Sequence, residues 1–307
     1  MKATPDTLTL PATRGVRLVA MELLGDAAQA ADRLAHAHDD EALHDFRVAV
    51  RRLRSWFRAF DQELEGSVRR RDRHALRALV RATNSGRDTE VQLDWLARVM
   101  KSKEAKRSRG AARLSSYIRE QQRLAGDSFD ASCIDDFADL RKQLMKRFEN
   151  TLDDADDDER TLAQSIAAKL PAHVDALTAA LHAVHAFDDE SAAHEARIAA
   201  KRLRYLLDPA APHVRLAAAM VERLKTLQDD LGALHDAHVL GHVLREAIVD
   251  APITSVEDLM AVAARLERDT KRIFGRVKRG WLERVATVRK LERDATAVAK
   301  RLHSLKA

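Results

Sequence analysis

One stretch of eleven residues occurs twice. Residues 44–54 read HDFRVAVRRLR and residues 194–204 read HEARIAAKRLR. The shared pattern is H-[DE]-x-R-[VI]-A-x-[RK]-R-L-R, offset by 150 positions, and each copy follows an Asp-Asp-Glu, at 39–41 and at 188–190. A second correspondence lies downstream. Arg77-x-Leu79 and Arg87-Asp88-x-x-Val91 match Lys225-x-Leu227 and His235-Asp236-x-x-Val239, offset by 148. Matches in the same order at nearly constant spacing mean that the chain carries two copies of one unit. The acidic run Asp153-Asp154-Ala155-Asp156-Asp157-Asp158-Glu159 marks the midpoint, which predicts a first repeat over 1–152 and a second over 153–307.

The repeated unit reads as helix. With 10 Gly and 6 Pro in 307 residues, the chain lacks the turn residues that a β-sandwich needs every 8–12 positions. Apolar residues recur at helical spacing, as at Val16, Val19, Leu23, Leu24 and Ala27, and no segment sustains an alternating pattern. The fold class is all-α. Cap and breaker residues predict a helix over about 14–37 capped by Thr13, then one from the 39–41 acids to about Glu65, stopped by Gly66. A third follows a Ser67 cap to about Thr83, a fourth runs from Asp88 to about Lys106, and a fifth lies between Gly110 and Gly126, before one over 135–150. In the second repeat the helices fall at about 158–169, 172–186, 190–208, 214–231 and 235–249. A helical extension then starts at a Ser255–Asp258 capping box and runs to about 303, with breaks at Gly275 and Gly280.

On a helix at about 100° per residue, His44, Arg47, Arg51, Arg54 and Arg58 fall in one stripe about 80° wide. Phe46, Val50, Leu53, Phe57 and Phe60 form an apolar stripe beside it. The second copy repeats this with His194, Arg197, Lys201 and Arg204 against Ala196, Ala200, Leu203 and Leu207, while Arg52 and Arg202 lie on a third face. Like charges one turn apart repel by a few tenths of a kcal/mol on an exposed helix. Two matched rows of them fit an anion lying along the row better than a solvated face.

Total charge adds little. The formal net is +5, and an Ala- and Arg-rich chain also arises from GC-rich coding DNA, so arrangement carries the argument. Between Arg47 and Arg81 there are eleven Arg against four acids, Asp61, Glu63, Glu65 and Asp72. Arg presents a planar fork that pairs two oxygens of a phosphate at once. Steps along the row are about 5 Å, so polyphosphate, nucleic acid and phosphorylated small molecules all qualify as ligands. Nucleic acid is the weaker competitor: single-strand binders interleave cations with stacking aromatics. Aromatics are 4% here, and Phe46, Phe57 and Phe60 fall on the apolar stripe, leaving Trp56 and Tyr205 as exceptions.

Other chemistry has little support. A single cysteine, Cys133, excludes a disulfide framework within the chain. There is no phosphate-binding loop, dinucleotide fingerprint or G-x-S-x-G, and the expectation is no turnover and no cofactor. His235, His238 and His242 step by 3 and 4, which is metal-ligand spacing, so a metal-dependent phosphohydrolase is the alternative reading. A polyphosphate-facing histidine row is preferred. No export pattern and no apolar stretch of 18 residues is present, so a cytoplasmic protein without a membrane span is expected.

The repeated H-x-x-R-x-x-x-[RK]-R-L-R helix resembles the CHAD family, the conserved histidine α-helical domain. Leu224-Lys225-x-Leu227-x-x-x-Leu231-Gly232-x-x-His235-Asp236 resembles that family's second signature, and the likeness spans about 15–303. The resemblance implies two pseudo-twofold-related four-helix bundles with basic helices lining a shared cleft. It also implies binding of inorganic polyphosphate, often at polyphosphate granules. By that resemblance the binding residues are His44, Arg47, Arg51, Arg52, Arg54, His194, Arg197, Lys201, Arg202, Arg204 and Lys225, with Arg77 the counterpart of Lys225. Arg58, Arg81 and His235 extend the set. The second signature ordinarily ends in Arg-Asp, as at Arg87-Asp88, whereas this chain has His235-Asp236, and 82–86 (ATNSG) lacks the Leu-Gly of the other half. The E-x-E-x-K pattern of fused triphosphatase domains is missing, so the resemblance is to a stand-alone unit.

Overall fold

In the computed structural model, which describes residues 5–36, 40–83, 85–125, 132–152, 160–283 and 285–305, both motif copies lie on helices whose apolar stripe is buried. In chain order the helices are α1 (Pro5–Thr9), α2 (Ala12–His36), α3 (Asp40–Ala59), α4 (Arg70–Ala82), α5 (Ser85–Met100), α6 (Ala105–Ala125) and α7 (Ser132–Thr151). They continue with α8 (Leu162–His182), α9 (Glu190–Leu207), α10 (Arg215–Val249), α11 (Ile253–Val277), a π-helical turn (Lys278–Leu282) and α12 (Val285–His303). Among the described residues there is no strand; Pro11 and Thr161 form an isolated antiparallel bridge. The acidic run at 153–159, Asp39 and Gly126 lie outside the described residues.

The apolar packing forms two cores, and each draws on both halves of the chain. In the first, α3 buries Phe46, Leu53, Phe57 and Phe60, and α9 buries Ala196, Ala200, Leu203 and Leu207. Each fully buried large apolar side chain contributes about 1.5–3 kcal/mol. Phe46 meets Phe137 of α7 edge-on, ring centroids 5.0 Å apart. The second core joins α5, α6, the C-terminal half of α10 and α11 through Leu96, Leu114, Leu240, Leu244, Val262 and Leu266.

Several predicted breaks are not breaks. The helices expected at 158–169 and 172–186 are one helix, α8, with Pro171 inside it and a Thr161–Gln164 capping box at its start. Those expected at 214–231 and 235–249 are one 35-residue helix, α10, running through Gly232. Gly110 does not begin a helix either. It lies inside α6, where a Cβ would stand 2.1 Å from the Asp258 carbonyl oxygen, so glycine serves the close crossing of α6 and α11. Gly275 lies inside α11, whereas Gly280 does mark a break: it sits in the π-helical turn between the end of α11 at Val277 and the start of α12 at Val285.

The predicted caps also moved. Ser255 and Asp258 lie within α11, and the Asp258 carboxylate accepts from Arg109 Nε at 3.0 Å and Nη2 at 2.8 Å. Thr13 falls inside α2. α3 ends at Ala59, and the chain turns through 60–67 to Gly66, whose φ of 78° favours glycine. Ser67 is buried and accepts from Arg17 Nε at 3.2 Å, while the N-cap of α4 is Arg69, whose backbone N–H donates to Asp72 at 2.7 Å.

Candidate functional site

The cations of α3 and α9 stand beside the buried stripes of those helices. Along α3, Arg47 is buried at 4% exposure, His44, Arg51 and Arg54 are half-buried, and Arg58 is exposed. Along α9, His194, Arg197, Lys201 and Arg204 are all half-buried. α4 adds Arg77 and Arg81, both exposed. The helix contact between α3 and α9 brings the two rows together.

Their meeting shows in the charges. Burial, then the charges of Arg197, Arg51 and Arg204, bring Lys201 down to about 7, with Asp236 acting the other way. Arg51 belongs to the first motif copy and occupies the position that Lys201 holds in the second. On the first half, burial and then Arg77, Arg81 and Arg51 hold the Arg54 guanidinium below the ordinary arginine range. Among the described residues, none of Arg54, Arg77, Arg81, Arg197 and Lys201 forms a salt bridge with a carboxylate. Two unit charges about 5 Å apart repel by under 1 kcal/mol in water but by about 3 kcal/mol at an effective dielectric of 20. Partial burial therefore turns a harmless row into a costly one, and an anion at that point offsets the cost.

Other predicted residues are held elsewhere. Arg52 reaches Asp26 at 3.6 Å and Asp208 at 3.5 Å. Arg202 has Arg58 as a charged neighbour; burial and then Arg58 lower its pKa, opposed by Glu195. Lys225 is exposed and pairs with Glu222 at 2.6 Å. Arg204 belongs to the cluster but is steadied by Gln228, whose Oε1 accepts from its Nε at 3.0 Å and whose Nε2 donates to the Ala200 carbonyl at 3.1 Å. The sequence reading missed Gln228, which stands three positions after Lys225 on α10. It also missed Asp208, four positions after Arg204, and His173 on α8. Burial lowers the His173 pKa first; the charges of Arg202, Lys169 and Arg58 act in the same direction.

Comparison with known families decides the relationship. The CHAD domain model matches residues 19–245. The chain belongs to the CHAD family. Two solved structures share the fold over nearly the whole chain. The CHAD domain of the plant Ricinus communis has a TM-score of 0.65 at 20% identity, covering 100% of this chain and 97% of that one. PptA from Streptomyces chartreusis has a TM-score of 0.60 at 17% identity, covering 98% of this chain and 100% of that one. At these identities the likeness is one of fold. A comparison with curated proteins gives no match. The matched CHAD region contains every predicted cation and ends inside α10, before α11 and α12.

Within the CHAD region the histidines of α10 diverge. His235 lies against His194, ring centroids 5.3 Å apart. His238 Nε2 lies 2.7 Å from the Phe187 carbonyl oxygen, and His242 Nε2 lies 2.7 Å from Glu190. Among the described residues, no three His, Cys, Asp or Glu side chains are grouped to hold a metal ion. The aromatics named as stacking exceptions are also engaged. Trp56 is 2% exposed and donates from Nε1 to the Val16 carbonyl at 3.0 Å. Tyr205 is buried, with the Arg204 guanidinium 4.5 Å from its ring centroid. No described helix is long and apolar enough to cross a membrane.

Proposed function

We propose that this CHAD protein binds inorganic polyphosphate along the cation rows of α3 and α9, with Arg77 and Arg81 of α4 beside them. The observation that carries the reading is the meeting of Arg51 with Lys201, Arg197 and Arg204, a half-buried like-charge cluster supplied by both motif copies. A linear phosphate chain offers a charge every few ångströms, matching steps of about 5 Å along each helix. Each charge-assisted hydrogen bond adds about 1.5–3 kcal/mol. Family membership supports the same ligand. The buried state of Trp56 and the capped ring of Tyr205 favour polyphosphate over single-stranded nucleic acid, since neither ring offers a stacking face. Residence in the cytoplasm at polyphosphate granules, without turnover and without a required divalent metal, completes the proposal.

The test is competition at physiological salt. Long-chain polyphosphate is expected to displace labelled single-stranded RNA and duplex DNA completely, with or without chelator, and to release no phosphate. Retention of nucleic acid against excess polyphosphate would overturn the reading.

A further inference from the structure

α5, α10 and α11 surround a cavity of about 570 Å³ beside the second core, within the range of about 300–1,000 Å³ that small-molecule sites occupy. None of its walls comes from α3 or α9. Its lining includes the apolar side chains Trp95, Leu240, Leu266 and Ile273. It also includes six cations, Arg98 of α5, Lys101 just after it, Arg107 of α6, and Arg265, Arg272 and Arg276 of α11, against the acids Asp236 and Asp269. Positions 265, 269, 272 and 276 step by 4, 3 and 4, so these α11 side chains share one face.

The acids position the arginines without cancelling them. Asp269, 8% exposed, accepts from Arg265 Nε at 2.9 Å and pairs with Arg272 Nη2 at 3.2 Å. Arg276 Nε donates to Asp230 at 2.8 Å. Arg107 donates to Ser102 at 3.3 Å and to Glu104, and its buried Nε has no hydrogen-bond partner among the described residues. Neither Arg98 nor Lys101 pairs with a carboxylate among the described residues. A guanidinium has five N–H donors, so each anchored arginine keeps donors for a second anion.

We infer that this cavity binds a small organic phosphate with a flat aromatic body, a nucleotide. Its ring lies against Trp95 and the apolar lining, and its phosphates lie among the arginines of α11 and the cations at the end of α5. An inorganic phosphate chain would leave the apolar lining uncovered, and an apolar ligand would leave the cations unanswered. The inference does not rest on the polyphosphate reading of α3 and α9.

Calorimetric titration of the full chain with ATP, and separately with inorganic tripolyphosphate, tests it. ATP is expected to bind, and Trp95→Ala and Arg272→Glu are each expected to weaken it by about tenfold or more. Arg51→Ala should leave the Trp95-dependent ATP binding unchanged, and tripolyphosphate affinity should not respond to Trp95→Ala. Arg98→Glu, at an exposed side chain, repeats the test should Trp95→Ala fail to fold. Absence of ATP binding up to about 1 mM, affinity indifferent to Arg272→Glu and Arg98→Glu, or loss of the Trp95-dependent ATP binding in Arg51→Ala would overturn the inference.

Discussion

Arg52 of α3 lies 3.5 Å from Asp208, just after α9, whereas Arg202, its counterpart 150 positions later, feels the like charge of Arg58 ahead of the opposite charge of Glu195. Arg58 and Asp208 are themselves counterparts at the same offset. The duplicated arrangement therefore holds an ion pair on one side and, on the other, two guanidiniums whose repulsion Glu195 partly offsets. The half-buried His173 stands near the second pair. Symmetry of sequence thus produces an asymmetric field, with excess positive charge on the Arg58–Arg202 side.

Replacing Arg58 by Asp restores the pairing that Asp208 makes with Arg52. Because Arg58 is exposed, the new pair is worth about 0–1 kcal/mol. Thermal melting of Arg58→Asp should show an unchanged or slightly raised midpoint, while polyphosphate affinity should fall. A large drop in midpoint would contradict Arg58 as a repelling charge on Arg202.

Polyphosphate affinity should fall as pH rises above 7. Lys201 in the unliganded fold titrates at about 7, well below the ordinary lysine value of about 10.4. A bound polyanion favours its charged form and raises that value. Above pH 7 binding therefore takes up a proton, and the association constant should drop by up to about tenfold per pH unit until the bound-state value is reached. Lys201→Arg should flatten the profile. Stability of the unliganded chain carries the opposite sign. Between about 7 and 10.4 the unfolded chain holds the proton and the fold does not, so this group's contribution to stability increases with pH across that window. Affinity and chemical denaturation measured from pH 6.5 to 9 check both slopes.

Gly110→Ala should damage the second core. The added Cβ would meet the Asp258 carbonyl at 2.1 Å, which is backbone and cannot move aside without separating α6 from α11. A loss of about 1–3 kcal/mol or more is expected, read by denaturant unfolding. Gly25→Ala, inside α2 where a Cβ meets nothing within 4 Å, is the comparison and should stabilise by up to about 1 kcal/mol.

Asp72 anchors the start of α4, which carries Arg77 and Arg81. It is 1% exposed, accepts from the Arg69 backbone N–H at 2.7 Å and pairs with Arg147 at 2.9 Å. Asp72→Ala leaves a buried guanidinium without its carboxylate, at a cost of about 3–5 kcal/mol. The unfolding free energy should fall by that amount, and full retention would contradict the pairing.

The helices and the two cation stripes were legible in the sequence because both follow from periodicity. Phe46, Phe57 and Phe60 lie in the core as their spacing required, and Trp56 joined them because its indole N–H found the Val16 carbonyl. Helix ends were less legible. A glycine inside a helix costs only about 1 kcal/mol relative to alanine, so Gly110 and Gly232 are overridden by packing that a single sequence does not display. Pro171 is tolerated within α8, whose buried Leu170, Val174 and Leu177 hold it in the first core. The relationship that defines the candidate site, the charge of Arg51 in one copy acting on Lys201 of the other, joins residues 150 positions apart. Matching motifs announce such residues as equivalent, but only the packing of α3 on α9 makes them neighbours.

The most direct test is the salt dependence of long-chain polyphosphate binding by the Arg51→Ala/Lys201→Ala variant. Removing two half-buried like charges should leave the fold at least as stable. Affinity should fall by about 100-fold or more. The slope of log affinity against log salt should become shallower by about 1.4, at about 0.7 per lost contact for a single-stranded polyanion. Unchanged affinity with an unchanged salt slope would contradict the assignment of the site to the meeting of α3 and α9.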